Sequence, residues 1–310
     1  MLKLRIDPWS ADYGPSLHLE EEETPEVRLD LEGEWRAHTP PQADLPERVA
    51  LVDGVRRMDM HLRLEDEVRS FPAAVGTLGV GAIVLTPGRS QPLNQALRHV
   101  EIQQLLLVAA PEGPTLADHV TVCTGSDQES LMLTLQQRMR SLEAVVASRT
   151  AEEVELVIAD GPLQSIHDLN QQEVLGFIKS QHRQLLPADN MDLVRQLQPG
   201  QRSPIFRLGS SSYDRLSWYL RLDSPAVGET ALAGIVRLEM LASYGLDRAR
   251  RRADQVGVLL PRLRNSRHRD ARSPQNLVPI AVLERALRHR LGDSGLRQRQ
   301  LRKVLHGGEA

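Results

Sequence analysis

The apolar positions of the chain change period several times, and each change marks an element. From Arg48, the segment RVALVDGVRR is a short apolar run reaching Asp53-Gly54, which reads as a strand followed by a turn signal. MDMHLRLED then alternates apolar and polar residues, the period of a half-buried strand, and this sets Asp59, His61 and Arg63 on one solvent-facing side. AAVGTLGVGAIVLTPG is a third, glycine-punctuated apolar strand, and three strands with short connections predict an antiparallel meander. HVEIQQLLLVAA fits helix or strand, and VTVCTG reads as a strand. Over Gln128–Ala147 the apolar residues Leu131, Leu135, Met139, Leu142, Val145 and Val146 fall close to the helical period, with Ser126 or Asp127 as the cap. VELVIADGPL is a continuous apolar run ending in Asp160-Gly161, as suits a buried central strand. VLGFIKS, SWYLRL and GIVRLEM read as further strands, and a loop with a short helix spans Pro187–Pro204. Helices then dominate to the C-terminus, around a polar, Arg-rich and mobile stretch at Arg262–Pro274. Strands first, then strands mixed with helices, predict an α/β domain built on a mixed β-sheet flanked by helices, with a helical C-terminal part.

What precedes Arg48 has a different texture. VRLDLEGEW alternates in places, as a short edge strand would, and Pro40-Pro41 reads as a connector. Residues 1–45 are therefore expected to be a peripheral arm, and residues 46–310 the domain proper. Hydrophobic residues make up 41% of the 310, enough for a sizeable core, but aromatics are only 3%, so Leu, Val, Ile and Ala must fill it. A single cysteine, Cys123, excludes an internal disulfide, and no Cys/His cluster has zinc spacing; its apolar surroundings make it a core thiol. The opening MLKLRIDPWSADYG lacks the apolar region of a secretory signal, and no apolar run approaches the ~20 residues that span a bilayer. A cytoplasmic protein that does not engage a membrane is expected.

Charge sharpens the picture. The net formal charge is −3, yet residues 1–50 hold 12 acids against 5 Lys/Arg (−7), while residues 245–310 hold 16 Lys/Arg against 6 acids (+10). A basic end of this kind is either a solvated helical surface or a face for a polyanion, and its cations are nearly all Arg, whose planar fork suits phosphate.

Two aspartates stand out against this background. Asp53 in LVDG and Asp160 in IADG each follow apolar strand residues and precede glycine. Asp-Gly is common turn chemistry, and either dipeptide alone would be read so. Two carboxylates at the ends of buried strands are costly unless something neutralises them, and together they suit a hard divalent cation. Glu143, beside the apolar stripe of the helix that precedes the Asp160 strand, is the candidate third ligand, although a lone Glu there is more often an exposed flank residue. A divalent ion so held can activate water and stabilise the leaving oxygen in phosphodiester cleavage.

Taken in order, LVDGVRR, RMRSLEAVVA, VELVIADGPL and GFIKS resemble the NurA nuclease family, over about residues 48–290. The resemblance implies an RNase H-like fold and a deoxyribonuclease dependent on Mn²⁺ (or Mg²⁺), cleaving single- and double-stranded DNA. It implies that Asp53, Glu143 and Asp160 are metal ligands, and that Lys179 contacts phosphate or positions the attacking water. It also implies a homodimer working with a HerA-type hexameric translocase in DNA end resection and repair. Arg56, Arg140, Lys179, Arg250 and Arg251 are then the residues expected to meet DNA. The chain departs from the family pattern at a C-terminal histidine, where SPQNLVPIAVLERALRHRLGD offers Leu287 or a neighbour, with His289 and Asn276 as polar candidates nearby.

Other signals carry less. His167 and Asp168 fit a cleft or a helix N-terminus. GTLGVGAIV lacks the GK[ST] ending of a phosphate loop. Ser210–Ser212 have no His/Asp partner pattern. Trp218, Tyr219 and Tyr213 are candidates for stacking on bases. Two alternatives to the nuclease are a catalytically weak DNA-binding or assembly subunit of the same fold, and a metal-dependent phosphatase.

Overall fold

The computed structural model describes residues 25–41, 44–65, 69–110, 120–163, 173–179, 184–209, 214–270 and 272–307. His167, Asp168, Ser210–Ser212, Tyr213 and the first 24 residues lie outside that set. The elements in chain order are β1 (Glu26–Arg28), β2 (Val49–Glu65), β3 (Ser70–Leu85), α1 (Leu93–Ala96), β4 (Leu97–Val108), β5 (Val120–Val122), α2 (Gln128–Ala151), β6 (Leu156–Asp160) and β7 (Val174–Ile178). They continue with α3 (Ala188–Gln196), β8 (Phe206–Gly209), β9 (Asp214–Arg221), β10 (Ile235–Leu241), α4 (Leu246–Leu263), α5 (Val278–Arg290) and α6 (Ser294–Gly307). The strands form one ten-stranded mixed sheet in the order β1-β8-β9-β10-β7-β6-β2-β3-β4-β5, flanked by helices. This is the mixed α/β architecture anticipated from the sequence. Among the described residues no helix is long and apolar enough to cross a membrane.

By packing, the chain divides into two compact units, 1–52 with 83–96 and 147–281, and 53–82 with 97–146 and 282–310. In the first, β8, β9 and β10 run antiparallel, β10 pairs antiparallel with β7, and β7, β6 and the first four residues of β2 run parallel. Parallel strands buried on both faces read as unbroken apolar runs, and Val49–Val52 and Leu156–Ile158 are fully buried. A core under α3 gathers Met191, Val194, Phe206, Leu208, Tyr219 and Ile235, with Trp35 packed against it. Trp218 and Tyr219 are 0% and 1% exposed, and Tyr219 stacks on Phe206. They are core residues, so the base-stacking expectation for both is withdrawn: strand β9 is buried on both faces and turns neither ring to solvent.

The segment expected to be a peripheral arm is, in its described part, built into this unit. Its short edge strand β1 pairs antiparallel with β8, and Trp35 Nε1 donates to Asn190 O at 3.2 Å. The stretch Arg262–Pro274, expected to be mobile, is pinned instead. Arg267 reaches Glu229 at 2.9 Å and Asp223 at 3.3 Å, and Ser273 Oγ donates to Asn265 O at 2.5 Å. Arg264 and Arg267, two of the arginines that suggested a solvated stretch, have acidic partners some forty residues upstream.

The second unit carries most of the β2–β3 pair, β4, β5, the body of α2, and the C-terminal helices. Three local expectations change here. The two strands foreseen on either side of Asp53-Gly54 are one 17-residue strand, so that dipeptide is not a turn. HVEIQQLLLVAA resolves as strand β4. Asp59, expected to face solvent, is 1% exposed, because Arg57 Nε (2.7 Å) and Thr77 Oγ1 both donate to it; His61 and Arg63 remain exposed. The glycines of GTLGVGAIV serve packing. A Cβ on Gly76 would sit 2.9 Å from Leu135 Cδ2, and one on Gly79 would sit 2.7 Å from Ile102 Cδ1. Asp127 caps α2, its Oδ1 accepting from Ser130 N at 2.8 Å, and Cys123 is the buried free thiol foreseen, its pKa pushed up by burial.

Candidate metal centre

The site grows out of one piece of strand register. β2 and β6 pair in parallel, with Val49 opposite Leu156 and Val52 opposite Ala159. The next residues along the two chains are Asp53 and Asp160. Each is therefore the first residue past the same short parallel ladder; β6 ends at Asp160, whereas β2 runs on through Asp53 to Glu65. Asp53 is 6% exposed and the Asp160 side chain 13%. One carboxylate oxygen from each of Asp53, Asp160 and Glu284 lies within 4.8 Å of the other two, a group that could hold a metal ion. The donor set is all carboxylate oxygen, which suits hard Mg²⁺ or Mn²⁺ and has no soft ligand to favour zinc or copper.

Each acid has its own local support. Asp53 Oδ1 accepts from Gly54 N at 2.7 Å. Gly54 needs to be glycine for space, since a Cβ there would stand 2.6 Å from Glu143 Oε1 and 2.8 Å from Met139 Cγ. Glu143 thus lies against the strand directly beside Asp53, 7% exposed, with Arg140 Nη1 3.4 Å from its Oε2. It is not one of the three acids whose oxygens converge within 4.8 Å. Glu284, which the sequence reading passed over, is 8% exposed on α5. Its signal was present: Ile280, Leu283 and Leu287 are buried at helical spacing, and an acid on that stripe is costly without a partner.

Around Asp160 the support is a chain of hydrogen bonds. Lys179, 5% exposed just past β7, donates through Nζ to Asp160 Oδ2 and, at 2.9 Å, to Asn276 Oδ1. Asn276 Nδ2 in turn donates to Asp270 Oδ2 at 2.6 Å, which fixes the amide so that its oxygen faces the ammonium. Burial pushes the Asp270 carboxyl up, but hydrogen bonds from Asn276 and the Arg272 N–H, with the Arg272 charge, hold it below the ordinary range. Of the three positions considered for the family's histidine, Leu287 is fully buried in the core, His289 is exposed, and Asn276 joins this network.

The loop after Asp160 is clamped from β9 and β10. Gly161 has φ +120°, a conformation that favours glycine, and donates to Phe177 O at 2.9 Å. Leu163 N donates to Glu239 Oε1 at 2.8 Å, and Leu163 O accepts from Arg215 Nη2 at 3.0 Å. Glu239 is fully buried and neutralised by Arg237 at 2.7 Å. Glu239, Arg215 and Asp270 were not foreseen. An acid inside the apolar strand GIVRLEM was the one available hint.

The cations expected to meet DNA divide. Arg56 Nε donates to Gln136 Oε1 at 2.5 Å, and Arg140 is turned to Glu143. Arg250 pairs with Glu32 and Asp247, both at 3.1 Å, and Arg251 pairs with Glu173 at 3.3 Å. Glu173 also takes Arg252, and Arg248 at 3.7 Å. Glu32 is buried against Arg202 at 2.7 Å; burial raises its pKa, but hydrogen bonds from Arg202 and the Ile205 N–H with the Arg202 charge bring it below the ordinary value.

No protein-family model and no curated protein matches the sequence. Among solved structures, the chain is similar to the crystal structure of the NurA nuclease from Sulfolobus solfataricus, with a TM-score of 0.46, 12% identity, and 89% of this chain and 86% of that chain covered.

Proposed function

We propose that this chain is a divalent-metal-dependent deoxyribonuclease, with the metal held by Asp53, Asp160 and Glu284 and with Glu143 completing the acidic shell. The observation that carries the reading is the pair of aspartates just past the parallel ladder that joins β2 and β6, with a Glu284 oxygen within 4.8 Å of both. Three buried or half-buried acids so close repel one another, and a doubly charged cation is the partner that suits them best. A bound divalent ion supplies Lewis-acid charge at a scissile phosphate and eases deprotonation of water. The chain's own residues do the rest. Asp160 and Asp53 orient the site through two rigid strands. Lys179 holds its ammonium buried against Asp160, where a non-bridging phosphate oxygen that reached the carboxylates would accept a hydrogen bond from it. Asn276, itself held by Asp270, keeps that ammonium aimed.

Either Mn²⁺ or Mg²⁺ fits this donor chemistry. The order of motifs shared with NurA nucleases further suggests a homodimer acting at DNA ends with a HerA-type hexameric translocase in repair. One observation favours a second reading, a catalytically weak DNA-binding subunit: Leu287 is apolar and fully buried, and Asn276 cannot exchange a proton as a histidine would. The two separate on labelled single- and double-stranded DNA incubated with Mn²⁺, Mg²⁺ or EDTA, beside Asp160→Asn. Metal-dependent cleavage lost in the variant supports the nuclease. Tight binding without cleavage, even with a cognate translocase present, selects the second reading, and cleavage that survives Asp160→Asn rejects the site.

A further inference from the structure

The basic end of the chain is not electrostatically uniform. On α4, Arg248, Arg251 and Arg252 converge on Glu173, and Arg250 is shared by Glu32 and Asp247. In the loop beyond, Arg264 and Arg267 are committed to Asp223 and Glu229. Each of these arginines has an acidic partner within the fold, although Arg248, Arg251 and Arg252 share the single charge of Glu173. The last two helices differ. From Arg285 to Lys303 there is a single acid, Asp293, and its Oδ1 is spent accepting from Leu296 N at 2.6 Å at the start of α6. Arg285, Arg290, Arg299, Arg302 and Lys303 are all exposed, and among the described residues none of the five is in an ion pair. Arg299, Arg302 and Lys303 stand at i, i+3 and i+4, so they share one face of α6.

We propose that this face of α6 is the surface that tracks the phosphate backbone of a nucleic-acid strand, and that Arg248, Arg250, Arg251 and Arg252 of α4 are structural. The inference rests on the nuclease reading for its choice of polyanion. Its physical ground is the difference between the two helices. An arginine already held by a carboxylate must break that pair to take a phosphate, whereas an exposed unpaired one exchanges only water and counterions. Contacts of this kind carry no sequence information, so binding is sequence-tolerant and strongly salt-dependent.

The test is binding of a fluorescent single-stranded DNA to the full chain in EDTA, from 50 to 200 mM KCl, read by anisotropy. The variants are Arg299→Gln/Arg302→Gln/Lys303→Gln on α6 and Arg248→Gln/Arg251→Gln on α4. Loss of three phosphate contacts should flatten the log–log salt slope by about 2, at about 0.7 per contact. The α4 variant should leave the slope at its wild-type value. The single change Lys303→Gln should flatten it by about 0.7, which keeps the test intact if the triple variant folds poorly. An unchanged slope in the α6 variants, or a loss confined to the α4 variant, overturns the proposal, as does a wild-type chain that does not bind DNA. Cleavage with Mn²⁺ is scored separately: binding that depends on α6 without any cleavage, even with a cognate translocase present, would sink the nuclease reading and leave this surface standing.

Discussion

Lys179→Met removes one charge and keeps the stem that fills the space. The Lys179 side chain is 4% exposed, and its ammonium donates to both Asp160 and Asn276. Taking away one member of a buried ion pair costs about 3–5 kcal/mol, because the other charge stays buried. Asp160 is slightly more open, at 13%, so the lower end of that range applies in a metal-free solution. At roughly 2–4 °C per kcal/mol, the melting temperature in EDTA should fall by about 10 °C. A divalent cation reverses the balance, because in the variant it no longer shares Asp160 with an ammonium. Binding at a hundredfold excess over Kd contributes about 2.7 kcal/mol. The variant should therefore gain more from saturating Mn²⁺ than the wild type does, while losing cleavage. Differential scanning calorimetry in EDTA and in Mn²⁺ measures both shifts. Equal melting temperatures in EDTA, or equal gains from Mn²⁺, would refute the coupling of Lys179 to the acidic site.

Three further perturbations probe the supports. Gly54→Ala drives a methyl toward Glu143 Oε1 and Met139 Cγ, at 2.6 and 2.8 Å; it should cost about 1–3 kcal/mol and lower metal-dependent cleavage by displacing Glu143. Full activity in that variant would show that the position of Glu143 is immaterial. Asn276→Ala should lower kcat by about 10–100-fold, as loss of an outer-shell partner does, with DNA affinity in EDTA unchanged; an unaltered kcat would remove Asn276 from the machinery. Glu32→Gln leaves Arg202 buried without its main partner, at a cost of about 3 kcal/mol at pH 7. The folded pKa of Glu32 lies below its ordinary value of 4.5, so its contribution is complete above that pH and disappears as pH falls through the folded pKa. Urea unfolding of wild type and variant should converge progressively as pH falls below 4.5, and a gap that does not narrow with falling pH contradicts the assignment.

The same dipeptide illustrates what a sequence can and cannot carry. At Asp160-Gly161 the strand ends, and the glycine takes φ +120°. Asp53-Gly54 runs straight through a 17-residue strand, and a Cβ on its glycine would crowd Glu143 and Met139 on α2, far along the chain. Nothing local distinguishes the two. Both aspartates were legible because each ends an unbroken apolar run, and that run is the signature of a strand buried on both faces. Glu284 was legible in principle, as a lone acid on a buried helical stripe. Arg250 and Arg251 read as a polyanion face because their partners, Glu32 and Glu173, are far off in the chain. Trp218 and Tyr219 looked available for the same reason. Composition reports how many charges and rings a segment has, and only the fold says which are spent.

The central claim is that Asp53, Asp160 and Glu284 hold a divalent cation. Crystals grown with Mn²⁺ and measured near the manganese edge address it most directly. An anomalous peak about 2.1 Å from one oxygen of each of the three carboxylates is the expected result. At saturating Mn²⁺, the absence of a peak there, or a peak ligated by other residues, would contradict the account.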